Sequence, residues 1–260
     1  MLLKKIKKMS FSIKLGNFLY KNAFALYKPL YTSFKNRQDA FEIQLLEKYV
    51  QRGDVVLDIG ANIGYYALIL AKLVGEKGRV HCFEPDKKNF SHLENATLNY
   101  GNILINNLAA GPKTETLKIY TSKNLNVDHR TYKPEEFDQE LEIEAVSMDD
   151  YWVKKDPAEA GRVDFIKMDI QGFEMQAIQG MKSILRKNTD IKIISEFWPY
   201  GLKKAGSSVT DYFTFLTEQG FNCYLLTKNS LEKLSLDKVL SFEGLGEETY
   251  FNIFASRSNV

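Results

Sequence analysis

The stretch Val55-Val56-Leu57-Asp58-Ile59-Gly60-Ala61-Asn62-Ile63-Gly64-Tyr65-Tyr66 constrains this chain more than any other. A short apolar run ends in an acid, a glycine-bearing turn follows, and a helical pattern begins. Strand, tight turn and helix N-terminus in that order are the parts of a nucleotide site in an open α/β sheet. A second apolar run, Val80 to Phe83, follows and ends in Glu84-Pro85. The first two strands of a Rossmann-like half are expected there, with Glu84 placed to take a ribose.

The spelling of the turn narrows the ligand. A dinucleotide fingerprint is G-x-G-x-x-G, which lets backbone press against a pyrophosphate. Here the order is Asp-x-Gly-x-Asn-x-Gly, with Gly60 and Gly64 alone. Asp58 just before the turn would repel a pyrophosphate and suit a cation. S-adenosylmethionine (SAM) carries a sulfonium, an ammonium and a ribose, and no phosphate. Asp58 would orient the ammonium through the turn, the backbone from Gly60 through Ala61 and Asn62 to Gly64 would allow close approach, and Glu84 would accept both ribose hydroxyls. The plainer alternative is a doubly wound domain with glycines and an acid at these places for packing alone.

At 260 residues the chain fits one α/β domain with decorations. A net charge of +2 argues neither way on nucleic acid, and no nucleic-acid partner is assigned. Cys82 and Cys223 fall in expected strands and read as buried thiols of a reducing compartment, without a disulfide or zinc pattern. No apolar run approaches the roughly 18 residues of a membrane-spanning helix.

The chain divides into a basic, amphipathic helical extension over residues 1–50 and a domain over 51–260. Leu2, Ile6, Met9 and Ile13 recur on one helical face among Lys4, Lys5, Lys7, Lys8 and Lys14. Lysines interrupt any signal-peptide core. The expectation is a cytoplasmic protein whose residues 1–20 make peripheral contact with the inner face of a membrane; a solvated helix packed on the domain is the alternative. Residues 21–50 read as helix covering the mouth of the core.

Within the domain, strand three is expected over Ile103–Ala109, bringing Asn106 and Asn107 to the site. An amide there would read an adenine edge or serve as a turn former. Thr116–Thr121 and Leu141–Val146 alternate and read as a hairpin. Residues 122–140, with His129, form its long tip and read as a lid or acceptor loop.

A second informative stretch is Val163-Asp164-Phe165-Ile166-Lys167-Met168-Asp169-Ile170-Gln171-Gly172-Phe173-Glu174. A buried strand ends in Asp169, and a glycine turn leads into a helix through Leu185. Topology puts this strand end on the same crevice as Gly60. The next strand, Ile191–Ser195, ends in Glu196, walled by Trp198 and Tyr200. Two carboxylates there could accept a proton, hold a hydroxyl or ligate a divalent cation, though no metal is assigned; turn capping or pairing with Lys167 is the structural alternative. Phe221–Leu226 and Tyr250–Ala255 read as an antiparallel pair, with a mobile charged segment over 227–248.

Leu57 to Tyr66, Phe83-Glu84-Pro85, Ile166 to Glu174 and Ser195-Glu196 together resemble the FkbM-type SAM-dependent methyltransferases. The order and spacing fit from about residue 50 to 200. The resemblance implies an α/β, Rossmann-like, seven-stranded, mostly parallel sheet with helices on both faces (class I methyltransferase), SAM as cofactor, and O-methylation of a sugar or glycan hydroxyl. A small secondary metabolite as acceptor, or a noncatalytic membrane-associated module, are the alternatives. One departure is Gln171, where the family often has glutamate. Expected catalytic groups are Asp169, Glu196 and His129; cofactor contacts are Asp58, Gly60, Ala61, Asn62, Gly64, Glu84 and Asn107. The Asn/Asp-Pro-Pro-Tyr motif of amino-group methylation is absent.

Overall fold

The computed structural model describes residues 11–122, 129–135, 137–155 and 161–260. Three helices lead: α1 (Phe11–Asn22), α2 (Phe24–Gln38) and α3 (Ala40–Tyr49). The expected helical positions Leu2, Ile6 and Met9 lie outside the described residues. β1 (Val55–Ile59) is buried along its whole length, which is why it reads as an apolar run broken only by Asp58. α4 (Tyr65–Val74) starts after Gly64 and stops at Gly75, both at positive φ. β2 (Arg79–Phe83) follows. Asp86 then caps α5 (Lys87–Thr97), its carboxylate accepting the Asn89 N–H at 2.8 Å. β3 (Ile103–Asn106) stops short of the expected Ala109. The chain turns out of the sheet where Asn107 Nδ2 donates to the Glu84 and Pro85 carbonyls, at 2.9 and 3.0 Å.

The next four strands build a separate small sheet. They are β4 (Ala109–Ala110), β5 (Glu115–Thr121), β6 (His129–Arg130) and β7 (Glu140–Val146), in the order β4-β7-β5-β6. β5 and β7 form the expected antiparallel hairpin, burying Ile119, Ile143 and Ala145 with Ala109. Of the lid-like stretch 122–140, residues 123–128 and 136 lie outside the described residues.

Ser147 accepts the Asp150 N–H at 3.1 Å at the start of α6 (Met148–Lys155), and β8 (Phe165–Met168) returns to the main sheet. The single helix expected through Leu185 is two, α7 (Glu174–Gln179) and α8 (Lys182–Lys187). The break falls at Gly180, where a Cβ would lie 2.1 Å from the Gly111 carbonyl oxygen. β9 (Lys192–Phe197), α9 (Pro199–Lys204), α10 (Val209–Glu218) and β10 (Asn222–Leu226) follow. Residues 227–248, read as a mobile segment, instead hold β11 (Leu231–Lys233) and α11 (Leu236–Leu240) and bury Leu234, Val239 and Phe242. Those three apolar side chains hold the segment against the core. β12 (Phe251–Ser256) ends the fold.

The main sheet runs β11-β10-β12-β9-β8-β1-β2-β3. From β3 to β9 the strands are parallel; β12 is antiparallel to both neighbours. The seven expected strands are present, and β11 adds a short eighth on the edge. Both faces are covered by apolar clusters, and both cysteines are buried free thiols. Strand order reverses between β1 and β8. In a doubly wound sheet the ligand crevice lies outside the carboxyl ends of that pair. Among the described residues no helix is long and apolar enough to cross a membrane.

Candidate active site

The two turns at the reversal touch through backbone. Gly60 sits at φ +85°, and a Cβ there would lie 2.0 Å from the Asp169 carbonyl oxygen. The Asp169 N–H also donates to the Ile59 carbonyl at 2.9 Å. Only glycine meets both the left-handed φ and the contact. The Gly60 turn and the Asp169 turn therefore form one crevice floor, as the topology predicted.

Around that floor the acids are withdrawn from water. Asp58 is 1% exposed, and its Oδ2 has no hydrogen-bond partner among the described residues. Burial pushes its carboxyl up to about 7, with the Lys167 cation pulling the other way. Glu84 is buried and accepts the Asn62 N–H at 2.8 Å and the Asp86 N–H at 3.0 Å. Burial raises it to about 8 against those bonds. Asn62 holds the turn at φ +49°, and its Oδ1 is likewise buried without a partner among the described residues. Ala61 donates its N–H to the Phe83 carbonyl at 3.0 Å, stitching the turn to the end of β2. Gly64 (φ +89°) lies against Leu93 and Ala96 of α5. Asn107 Nδ2 is committed to the Glu84 and Pro85 carbonyls, the turn-forming role the sequence offered as one of two readings.

At the far wall, Gln171 Nε2 donates to Asp169 Oδ1 at 3.1 Å and lies 3.4 Å from Glu196 Oε2. Gln171 is itself at φ +57°, and Gly172 at φ +97° packs on the backbone of Gly201, which in turn packs on the Trp198 ring. Glu174 Oε1 accepts the Ile170 and Gly172 N–H groups at 3.0 and 3.3 Å, so it holds this turn from below. Burial raises its carboxyl to about 7. Trp198 Nε1 donates to the Glu247 carbonyl at 3.1 Å. The Arg130 guanidinium on β6 lies 5.1 Å from the Trp198 ring and bonds the Glu247 carboxylate at 2.7 Å. The small sheet is thereby pinned beside the strand end that carries Glu196. Of His129 only the backbone is described, paired with Thr121. His81 is a core residue, its Nδ1 2.9 Å from the Tyr151 hydroxyl and its pKa lowered by burial to about 4. His92 stacks on Phe24.

Helices α2 and α3 lie where residues 21–50 were expected to cover the mouth of the core, but sequence reasoning missed the side-chain contacts that hold this roof. Lys167, 2% exposed, pairs with Glu42 of α3 at 3.3 Å, and Asp169 acts on it only at longer range. Burial lowers the Lys167 pKa, but Glu42 and Asp169 outweigh it and the net shift is upward. Tyr66 donates to Asp39 at 2.7 Å, and Asp39 also pairs with Lys35 of α2. Tyr27 and Tyr31 stack with ring centres 5.4 Å apart, and Asp169 acts electrostatically on both Tyr31 and Lys35. At the other end Tyr20 donates to Asn89, whose side chain also bonds Glu84. The one local signal was a lysine in a strand otherwise wholly apolar, which requires a buried acid as partner.

A crevice with raised carboxyls, and with Asp58 Oδ2 and Asn62 Oδ1 lacking a hydrogen-bond partner among the described residues, fits a ligand bearing an ammonium and hydroxyls better than one bearing phosphates. Among the described residues no group of three or more His, Cys, Asp or Glu is arranged to hold a metal ion.

The family model described as methyltransferase FkbM domain matches residues 58–223. A second, described as protein-L-isoaspartate(D-aspartate) O-methyltransferase, matches residues 2–105. No curated protein matches the chain. Similar solved structures include an rRNA methylase from Streptococcus thermophilus (11% identity, 84% of this chain and 95% of that one, TM-score 0.48). An SAM-dependent methyltransferase from Aquifex aeolicus is 16% identical over 86% of this chain and 93% of that one, with a TM-score of 0.44. An SAM-dependent O-methyltransferase from Thermotoga maritima is 15% identical over 86% and 65%, with a TM-score of 0.45. At such identities none of them speaks to the acceptor of this chain.

Proposed function

Because the chain belongs to the FkbM methyltransferase family, an enzyme class whose cofactor is SAM, we propose that it methylates a hydroxyl of a sugar or glycan intermediate. Bound SAM supplies a sulfonium methyl. Of the chain's own groups, Asp58 would face the ammonium and Glu84 the ribose hydroxyls. The backbone of Gly60, Ala61, Asn62 and Gly64 would line the donor, and Asn107 Oδ1 would be left for the adenine edge. The observation that supports the reading is the Gly60–Asp169 backbone contact, which sets the turn proposed for the donor against the turn that carries the proposed base Asp169.

A sugar hydroxyl is a poor nucleophile while protonated, so a base at its oxygen is worth about 10²–10⁴-fold. Asp169 would hold the hydroxyl and take its proton, with Glu196 beside it and Gln171 keeping the two carboxylates apart by a neutral donor. His129, on the small sheet pinned by Arg130, is the other candidate base. Alignment of the hydroxyl oxygen about 3–3.5 Å from the methyl carbon supplies much of the remainder. The cationic segment before Asp39 supports work in the cytoplasm at the inner face of a membrane.

The test is incubation of the purified protein with methyl-labelled SAM and fractionated cell-envelope glycans. Label in an alkali-stable methyl ether of a sugar is the expected result. Label confined to RNA, protein or a small metabolite fraction would refute the sugar reading.

A further inference from the structure

The helices that roof the crevice have a second face. Tyr27, Tyr31 and Lys35 recur every four residues and turn inward. Leu26, Leu30 and Phe34 recur at the same spacing one residue earlier, about 100° around α2. They are 62, 59 and 61% exposed. On α1, Leu15 and Phe18 are 43 and 60% exposed. Five of the eleven large apolar side chains found exposed among the described residues thus fall within residues 15–34. Such clustering on a helical arm marks an interaction surface, since scattered exposed apolar residues need no explanation.

Charge identifies what the surface meets. Before Asp39 the chain has nine lysines and arginines and no acid; after residue 38 it has 26 basic residues against 33 acidic ones. The near-neutral total conceals a cationic arm on an anionic body. Lys14, Lys21 and Arg37 are exposed on the same two helices. A nucleic acid would use the cations and leave the leucines wet. A bilayer of anionic lipid uses both, apolar side chains entering the acyl boundary and lysines meeting headgroups.

We propose that the outer face of α1 and α2 docks on an anionic lipid bilayer, with the inner face closing the crevice. The proposal extends the membrane side of the functional reading and is independent of which hydroxyl is methylated. It moves the contact from the predicted residues 1–20 to a surface that reaches Arg37.

The test is cosedimentation of the full chain with vesicles of phosphatidylcholine, alone or mixed with phosphatidylglycerol. Affinity for the mixed vesicles is expected to be at least about tenfold higher, and to weaken with added salt. Replacing Leu26, Leu30 and Phe34 by serine together should cut it by about tenfold or more, while the melting temperature and the SAM affinity measured without vesicles stay at the parent's values. If that triple variant misfolds, Lys14→Gln with Lys21→Gln and Arg37→Gln is the alternative, with the same expected loss. Equal binding to both vesicle types, or none, overturns the proposal. So does undiminished vesicle binding by a folded apolar variant. Tighter binding to duplex RNA than to vesicles would make the arm a nucleic-acid surface instead, and a dimer dispersed by the apolar variant would make it an interface between two copies. Loss of SAM binding by the parent would refute the cofactor assignment without touching this one.

Discussion

Gln171 donates its side-chain N–H to Asp169 at 3.1 Å, and the same nitrogen lies 3.4 Å from Glu196. A neutral donor between two carboxylates offsets part of their mutual repulsion beside an acceptor hydroxyl. A glutamate in its place would bring a third acid to the pair instead of a donor. The departure from the family spelling at this position thus has a local electrostatic sense.

Removing that donor tests the acid pair. In Gln171→Ala the residue meets the same left-handed φ as glutamine does, so the change reports on the amide. Methyl transfer should fall about tenfold or more while SAM affinity by calorimetry holds within about twofold. Asp169→Asn should show the same split, more strongly. Equal losses in binding and transfer would make Asp169 a structural or cofactor residue.

Glu84 already accepts two backbone N–H groups, so its removal costs the turn as well as any ligand contact. Glu84→Ala is expected to weaken SAM binding by roughly tenfold or more. Glu84→Gln keeps the shape but cannot ionise on meeting the ribose hydroxyls, and should fall between. A dissociation constant unchanged in Glu84→Ala would remove the residue from the site.

The raised acids predict a pH dependence. Burial raises Asp58 and Glu174 to about 7 and Glu84 to about 8. Unfolded, these carboxyls titrate near 4. The folded chain therefore holds protons that the unfolded chain has released. This contribution to stability is fully present below about pH 4 and is lost as pH rises through 7 to 8. Ligand-free protein should melt at a lower temperature at pH 8 than at pH 6. SAM, by pairing its ammonium with Asp58, should expel a proton on binding, so its affinity should rise across the same interval. Calorimetry in buffers of differing ionisation enthalpy reads the proton count. A count of zero at pH 6.5 would separate Asp58 from the ammonium.

Lys167 and Glu42 tie the roof to the sheet at 3.3 Å with almost no water contact. Lys167→Met leaves the Glu42 carboxylate buried without its cation, though Asn252 still donates to it at 2.6 Å. A loss of about 3–5 kcal/mol is expected, read by urea unfolding. Adding Glu42→Gln should restore most of it, because the uncompensated charge is then gone. A Lys167→Met protein as stable as the parent would show that the pair contributes nothing net.

Much of the fold was legible because it depends on local pattern. An apolar run with a terminal acid makes a buried parallel strand, and a glycine after it makes a turn that no other residue can make. From two such runs in a doubly wound sheet the common crevice of Gly60 and Asp169 follows by topology, while the order of the strands came from the tertiary structure. The segment over 227–248 was misjudged because its three buried residues, Leu234, Val239 and Phe242, are spread among charges and show no period.

The ties that hold the roof, and the bridges in the site, could not be read in the same way. Gln171 spans Asp169 and Glu196 only because two neighbouring strands end side by side, and Glu42 meets Lys167 across 125 positions of chain. Periodicity reports the face a residue turns to, and motifs report turns and strand ends, since both arise from bonds along the backbone. Which distant side chains share one dry pocket is set by packing and desolvation, and those act only once the chain has closed on itself.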